Sequence, residues 1–209
     1  MMNTIRLARI PGAHSRRRTP KPSRRRLSLI APLAMLAGLM ASGSARADGA
    51  LQLTASAFAD QSAIPALYTC EGRDLAPALR WSGVPAGAKS LALIVEDPDA
   101  PDPAAPQRIW VHWVVYNLPA TANGLPEGVT AATLPAGARE GLNDWQHAGY
   151  GGPCPPIGRH RYVHRLYALD TVLPELDRTT RQAVVEAMQG HILDSATLTG
   201  TYRKQSRHD

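Results

Sequence analysis

The sequence predicts a mostly β protein, a β-sandwich with a few peripheral helices, one of them near the C-terminus. Short apolar runs of strand length recur after residue 47, separated by segments rich in proline and glycine, of which the chain has 18 and 17. Only one segment shows the spacing of an amphipathic helix. Residues 48–209 are numerous enough for a single domain with one hydrophobic core.

Five segments are predicted as strands. Leu51–Phe58 is the first in chain order. Ser90–Glu96 and Ile109–Asn117 are short runs of branched and aromatic residues, which are typical of buried strands. Arg161–Asp170 and Ala196–Lys204 alternate between side-chain types with the period of two that a strand requires.

The predicted helix covers about Thr180–Gln189, and Asp177 or Thr179 is expected to cap its N-terminus. Gly190 suits the end of the helix, because glycine adopts the left-handed conformation without strain. We expect this helix to cover a sheet edge or a flank of the site and to carry no chemistry. The residues that share its buried face are Val184, Ala187, Met188 and His191.

Residues 1–47 have the order of a cleavable export signal. A basic stretch comes first, a 14-residue apolar run covers Leu27–Met40, and Ala45-Arg46-Ala47 forms a cleavage site. Cleavage there predicts a periplasmic or secreted protein that begins at Asp48. The arginines before the apolar run also resemble a twin-arginine signal, although Leu27 stands where an aromatic residue is usual. The run is shorter than the roughly 20 residues of a spanning helix, so no permanent membrane anchor is predicted.

The charge of the chain is divided unevenly. Its formal net charge is +6, but residues 1–47 contain ten basic residues and no Asp or Glu. Residues 48–209 contain 13 basic and 17 acidic residues, which gives a net charge of −4. The mature protein is therefore predicted to focus below pH 7 and to bind no nucleic acid. An alternative for residues 1–47 is a disordered basic arm that binds polyanions. Sequencing the mature N-terminus distinguishes the two.

Three segments concentrate polar and conformationally special residues. The acidic turn Glu96–Pro103 follows a predicted buried strand and is stiffened by proline, although such a turn can also be a solvated surface loop. His112 lies inside an apolar strand, where a histidine is most often part of the core. Tyr150–Tyr162 is rich in glycine and proline, which predicts a rigid loop with backbone N–H groups free to bind an anion. The loop brings His160 to the start of the next strand.

Cys70 and Cys154 are the two cysteines of the chain. An even number of cysteines in an exported protein favours a disulfide, but their spacing does not show that the two residues come within reach of each other. Both a bonded pair and two free thiols therefore remain open. A bond would stabilise the fold by roughly 4 kcal/mol if only chain entropy is counted.

Taken together, these segments resemble the signature blocks of a known family. The resemblance is to the phosphatidylethanolamine-binding protein family, and more narrowly to its bacterial Raf-kinase-inhibitor-like branch, and it covers residues 50–204. In order, the matching blocks are Cys70–Trp81 (CEGRDLAPALRW), Asp97–Pro101 (DPDAP), Trp110–Pro119 (WVHWVVYNLP), Gly141–Trp145 (GLNDW) and Tyr150–Tyr162 (YGGPCPPIGRHRY).

The resemblance implies a sandwich of two antiparallel sheets with a small pocket for phosphate, phosphoryl head groups or similar anions. It also implies a non-proline cis peptide at Arg108–Ile109. Two departures from the eukaryotic pattern are Cys154, where those members often have glycine, and a shorter loop at Ile157–Gly158. The implied ligand-binding residues are Asp97, His112, Cys154, Pro155, His160 and Tyr162, with Asp99, Trp110 and Tyr150 beside them.

The chemistry of these residues suits a small anionic or zwitterionic ligand. His112 and His160 can donate hydrogen bonds to an anion, and the anion would favour their protonated forms. An ionised Asp97 would not bind an anion directly, but it can hold one of the histidines in the donating tautomer. Alternatively, Asp97 accepts a hydrogen bond from an ammonium group of a zwitterionic ligand.

The sequence therefore predicts an exported small-ligand-binding or regulatory protein that needs no cofactor or metal and has no established catalysis. The main alternative is a hydrolase of phosphoester or acyl substrates, with His112 or His160 as general base beside Asp97. Cys154 could serve as its nucleophile only as a free thiol. A metal site formed by the two histidines and Asp97, and a secreted protease inhibitor, are further alternatives.

Overall fold

The computed structural model describes residues 49–176 and 179–205. The predicted export signal at residues 1–47, its cleavage site and the candidate helix cap Asp177 lie outside the described residues. Within the described part of the chain, no helix has both the length and the apolarity needed to cross a bilayer.

The described residues form two antiparallel sheets, which confirms the predicted mostly β class. The smaller sheet has the strand order β1-β2-β5 and the larger one β6-β4-β3-β7-β8. A 3₁₀ turn at Ala66–Tyr68 and one α-helix, α1 at Arg181–Ala187, complete the regular structure of these residues. The strands are β1 (Gln52–Ala55), β2 (Leu79–Ser82), β3 (Ser90–Asp97), β4 (Trp110–Pro119), β5 (Gly124–Leu125), β6 (Arg139–Glu140), β7 (His160–Leu169) and β8 (Ile192–Tyr202).

Strand β3 is buried along its whole length because the larger sheet is covered on both faces. Leu91 and Leu93 belong to the core that includes residues of the smaller sheet. Ala92 and Ile94 face the other way and belong to a second core with Val184 of α1. A strand covered on both faces has no polar side, which explains the continuous apolar run in the sequence.

Helix α1 forms close to its predicted position, but its cap differs. Thr180, not Thr179, is the N-cap, and its hydroxyl oxygen accepts a hydrogen bond from the backbone N–H of Ala183 at 3.2 Å. The Thr179 hydroxyl donates to the Leu176 carbonyl instead. His191 is exposed and was wrongly placed on the buried face, because the helix ends before it is reached. The helix covers a face of the larger sheet and not an edge.

The predicted non-proline cis peptide at Arg108–Ile109 is wrong. Among the described residues, the cis peptide bond is Ala100–Pro101, inside the acidic turn. A cis bond costs about 2.5–4 kcal/mol when no proline follows it and far less before proline.

Candidate ligand-binding site

A cavity of about 310 Å³ lies where the three central strands of the larger sheet end. Asp97 ends β3, and its partner in the antiparallel register, Trp110, begins β4. His160 begins β7, so three strand ends meet at the same end of the sheet. Five of the six predicted ligand-binding residues line this cavity, as does Trp110: Asp97, His112, Cys154, Pro155 and Tyr162. Ala100, Pro101, Trp145 and Pro156 also line it and were not predicted.

His160, the sixth predicted residue, does not line the cavity but lies behind Asp97. Its Nδ1 is 2.7 Å from the Asp97 Oδ2, and its Nε2 is 2.9 Å from the Ile157 carbonyl oxygen. A carbonyl oxygen only accepts, so Nε2 carries a hydrogen, and a second hydrogen lies between Nδ1 and the carboxylate. The His160–Asp97 pair is therefore neutral overall.

Asp97 is held from two sides. Its Oδ1 accepts a hydrogen bond from the backbone N–H of Asp99 at 2.7 Å, and its Oδ2 faces His160. Burial raises the pKa of Asp97, while the hydrogen bond from His160 opposes this rise. The sequence predicted that Asp97 orients either His112 or His160. In the structure, Asp97 contacts His160.

His112 presents one ring nitrogen to the protein and keeps the other available. Its Nδ1–H donates to the Gly151 carbonyl oxygen at 2.6 Å, and Nε2 has no protein partner among the described residues. Burial lowers the pKa of His112 to about 4, and the neighbouring His164 and His160 act in the same direction. His112 is therefore neutral at neutral pH, and its Nε2 carries a lone pair.

Two donors that belong to residues of the cavity lining have no hydrogen-bond partner among the described residues. They are the Tyr162 hydroxyl and the Trp110 indole N–H, and both atoms are closed off from solvent. Burial raises the pKa of Tyr162, and Asp97 raises it further, so the side chain stays an uncharged hydroxyl. Most buried polar groups are hydrogen-bonded, so these two donors are exceptions that lie within the wall and do not face the cavity.

Asp99 and Tyr150, which were expected to lie beside the ligand-binding residues and not against the ligand, have structural contacts and do not line the cavity. Arg161 donates to both carboxylate oxygens of Asp99, at 2.9 and 2.6 Å, and lowers the pKa of that carboxyl. This pair fastens the acidic turn to the start of β7. The Tyr150 hydroxyl donates to the Tyr68 carbonyl oxygen at 3.0 Å.

Trp145 forms the outer wall of the cavity and was not predicted as a site residue. Its backbone N–H donates to the side-chain oxygen of the buried Asn143, which shapes the loop. The Trp145 ring lies edge-on to Trp110 and to His112, with centroid distances of 5.2 and 5.1 Å. It packs over Gly151, where a Cβ atom would lie only 2.5 Å from the ring. The GLNDW block was the only signal of this residue in the sequence.

In the loop 150–158, the two consecutive glycines do not form the expected anion-binding concavity. The Gly151 N–H donates to the His112 carbonyl oxygen at 3.0 Å. The Gly152 N–H donates to the Asp74 carboxylate at 2.7 Å. These N–H groups hold the loop in place and are not available to an anion.

Cys70 and Cys154 form a disulfide, with their Cα atoms 5.4 Å apart. Because Cys154 also lines the cavity, the bond fixes one wall of the site. Cys154 is therefore not a free thiol in this structure. The described residues also contain no group of three or more His, Cys, Asp or Glu side chains that could hold a metal ion.

Comparison with known proteins assigns the family. The family profile described as phosphatidylethanolamine-binding protein matches residues 54–203. The chain belongs to the phosphatidylethanolamine-binding protein family. The UPF0098 protein of Methanothermobacter thermautotrophicus is a similar member, 50% identical over 155 residues that cover 74% of this chain and 99% of the relative.

Two solved structures of this family resemble the chain closely. The phosphatidylethanolamine-binding protein homolog CT736 of Chlamydia trachomatis is 45% identical, with a TM-score of 0.69 over 75% of this chain and 99% of that one. YbcL of E. coli, described as a new member of the mammalian family, is 34% identical, with a TM-score of 0.67 over 74% of this chain and 99% of that one.

Proposed function

We propose that this member of the phosphatidylethanolamine-binding protein family binds a small phosphate-type anion or phosphoryl head group in the cavity. It acts as a binding or regulatory protein. The observation that carries this proposal is the His112 Nε2, which has no partner among the described residues and belongs to a residue that lines the cavity. A polar group placed in this way in an apolar cavity gives a ligand its orientation.

The charge around the cavity is compatible with an anion. The charge of the Asp97–His160 pair is balanced within the pair, and the negative charge of Asp99 is balanced by Arg161. The Arg108 guanidinium, 3.9 Å from the Asp144 carboxylate, stacks over Trp110 at 4.1 Å from the ring centroid. A singly charged anion suits this arrangement better than a doubly charged one, because desolvating a second charge adds a further cost.

We expect phosphate to bind more tightly as the pH falls from 8 to 5.5. Phosphate takes up a proton over this range and loses one negative charge, which lowers its desolvation cost. A bound anion also favours the protonated form of His112, whose pKa of about 4 leaves it neutral in the empty site. Both effects make the binding of phosphate tighter at lower pH.

Titration with inorganic phosphate at pH 5.5 and 8, in the wild type and in His112→Ala, tests the proposal. The wild type should bind several-fold more tightly at pH 5.5, and the variant about tenfold more weakly than the wild type. Equal affinity in all four titrations would contradict the proposal.

Export of the protein is part of the proposal. It is supported by the order of basic, apolar and small residues in 1–47 and by the disulfide, since disulfides persist in oxidising compartments. N-terminal sequencing of the protein recovered from the producing cell should give Asp48 as the first residue. An intact N-terminus would contradict export by cleavage.

Hydrolysis of a phosphoester or acyl substrate is the second candidate, and one observation favours it. The neutral His112 has a free lone pair at Nε2, as a general base requires. Cys154 is bonded and both ring nitrogens of His160 are occupied, so neither takes its predicted catalytic role in this structure. Release of nitrophenol from nitrophenyl phosphate or nitrophenyl acetate, lost in His112→Ala, would support this candidate.

A further inference from the structure

The disulfide lies at the surface of the protein. Cys70 and Cys154 are both exposed, and both line a groove of about 1070 Å³ that opens to solvent. Thiol–disulfide exchange requires that a thiolate reach one of the two sulfur atoms, so exposed disulfides are the labile ones. Small-molecule sites have volumes of roughly 300–1,000 Å³, so the groove is large enough to admit a small thiol.

The segment after β8 brings two cations to the same groove. Arg203 and Lys204 follow β8 directly, are exposed and line the groove. Neither has an ion-pair partner within the described ranges 49–176 and 179–205. The other charged residue of the lining is Glu71. The groove therefore has two positive side chains and one negative side chain.

Glu71 fastens this segment beside the disulfide. It follows Cys70 directly in the chain. Its carboxylate accepts hydrogen bonds from the Tyr202 hydroxyl and from the backbone N–H of Gln205, the latter at 2.8 Å. These two donors flank the two cations in the chain, so the cations are held next to the disulfide. The carboxylate is occupied by these hydrogen bonds, whereas the cations remain available to a ligand.

We propose that this groove binds a small acidic thiol, which then forms a mixed disulfide with Cys154. The thiol is a peptide-like molecule of the glutathione type, and its carboxylates face Arg203 and Lys204. A neutral or cationic thiol lacks this attraction. The groove is thus a site of covalent modification, and this inference does not rest on the proposed anion binding in the cavity.

The reaction is an exchange of one disulfide for another. The thiolate of the incoming molecule attacks the Cys154 Sγ, a new S–S bond forms there, and the Cys70–Cys154 bond breaks. Cys70 leaves as a thiolate and takes up a proton from water. No oxidant is needed, because the number of S–S bonds stays the same. The cations of the groove favour the thiolate forms on which the exchange depends.

Cys154 is the residue expected to be attacked. It lines both the groove and the cavity of about 310 Å³, whereas Cys70 lines the groove and not the cavity. Cys70 is also followed by the carboxylate of Glu71, which repels an incoming thiolate. Cys154 is therefore the more accessible of the two to a negatively charged thiol.

The exchange does not require the protein to unfold. The backbone N–H of Cys70 donates to the Pro153 carbonyl oxygen at 3.1 Å, and the Gly152 N–H donates to the Asp74 carboxylate at 2.7 Å. Both hydrogen bonds join the two segments that the disulfide connects, and neither involves a sulfur atom. We therefore expect the mixed disulfide to form on the folded chain.

Reaction of the oxidised full-length chain with three thiols at pH 8 tests the proposal. The thiols are glutathione, which is acidic, 2-mercaptoethanol, which is neutral, and cysteamine, which is cationic, each at the same thiolate concentration. Salt at about 0.15 M screens charges farther away than about 8 Å. After quenching with acid, mass spectrometry of the chain and of its peptic peptides gives the initial rate and the modified residue. Glutathione should react at least about threefold faster than cysteamine and should be found on Cys154.

Two double variants separate the groove from the overall charge of the chain. Arg203→Gln/Lys204→Gln removes the cations of the groove, so the preference for glutathione over cysteamine should disappear. Arg80→Gln/Lys89→Gln removes the same charge at two exposed residues that do not line the groove, so it should keep the wild-type preference. If both variants keep the preference, or both lose it, the role of the groove is overturned.

The results for the wild type decide the other parts of the proposal. If the thiols react only after the chain is unfolded in urea, the folded disulfide is closed to exchange and the proposal is overturned. If glutathione reacts no faster than cysteamine, the groove does not bind an acidic thiol. If glutathione is found on Cys70, the assignment of the attacked sulfur is wrong. Phosphate titration measures the proposed anion binding separately, so the two proposals can fail independently.

Discussion

Burial controls the ionisation of the histidines that the strands carry into the core. His112 and His164 are almost inaccessible to solvent, and burial lowers the pKa of each to about 4. His164 differs from His112 because it lies away from the cavity lining, and its buried Nε2 has no hydrogen-bond partner within the described part of the chain. Its ring packs against Phe58 at a centroid distance of 5.6 Å. His164 thus carries a stability cost at low pH without a ligand to bind.

His164→Phe should reduce the acid sensitivity of the fold. The pKa of His164 is about 4 in the folded state against 6.5 for an ordinary histidine, so the unfolded chain binds an additional proton between these values. The stability is complete above about pH 6.5 and falls as the pH drops towards 4. In the variant, the slope of the unfolding free energy against pH should decrease by up to about 1.4 kcal/mol per pH unit.

Urea unfolding of both proteins at pH 4.5, 5.5, 7 and 8 measures this slope. Between pH 7 and 8 the difference between the two proteins should stay constant, which serves as the internal control. If the unfolding free energies of the two proteins change in parallel down to pH 4.5, His164 does not take up the proton.

Among the elements, α1 is the one whose start depends on a single side chain. The Thr180 hydroxyl caps the helix, whereas the Thr179 hydroxyl donates outside it. Thr180→Ala should therefore lower the unfolding free energy by about 1 kcal/mol. Thr179→Ala, a change of the same size one residue earlier, should have a smaller effect. Chemical denaturation of the two variants measures the difference, and equal losses would contradict the assignment of the cap.

The longer strands and β1, which lies within the predicted Leu51–Phe58, were predictable, whereas β2, β5 and β6 were not predicted. β3, β4 and β7 lie close to their predicted bounds because burial imposes a run of apolar or alternating side chains over eight or more residues. β5 and β6 have two residues each, too few to show a period. β8 begins at Ile192, four residues before the predicted start, because its first residues pair with β7 but are mostly exposed and show no apolar pattern.

The site was predictable in its residue types but not in its arrangement. Resemblance to family blocks supplied His112 and His160 together, and only the tertiary structure shows that one lines the cavity and the other lies behind Asp97. Trp145 lies in a loop, where no periodicity indicates a direction for the side chain. The tautomer of His112 depends on the carbonyl of Gly151, 39 residues away in the chain.

At the scale of the whole molecule, the disulfide is the strongest single constraint on the unfolded chain. It joins residues 84 positions apart, so its loss should lower the unfolding free energy by roughly 4 kcal/mol if chain entropy dominates. The double variant Cys70→Ser/Cys154→Ser avoids unpaired thiols and measures this difference by urea unfolding. Wild type treated with reductant should shift by a similar amount, and a variant as stable as the oxidised wild type would contradict the prediction.

The position of Cys154 links the time at which the disulfide forms to the time at which the cavity is complete. Cys154 lines the cavity, and its bond to Cys70 holds the loop 150–158 in place. A newly made chain in a reducing cytoplasm has not yet closed that bond. If the chain is exported as proposed, we expect the cavity to reach its full affinity only after the protein arrives in an oxidising compartment. Ligand binding would then be separated in time and place from synthesis.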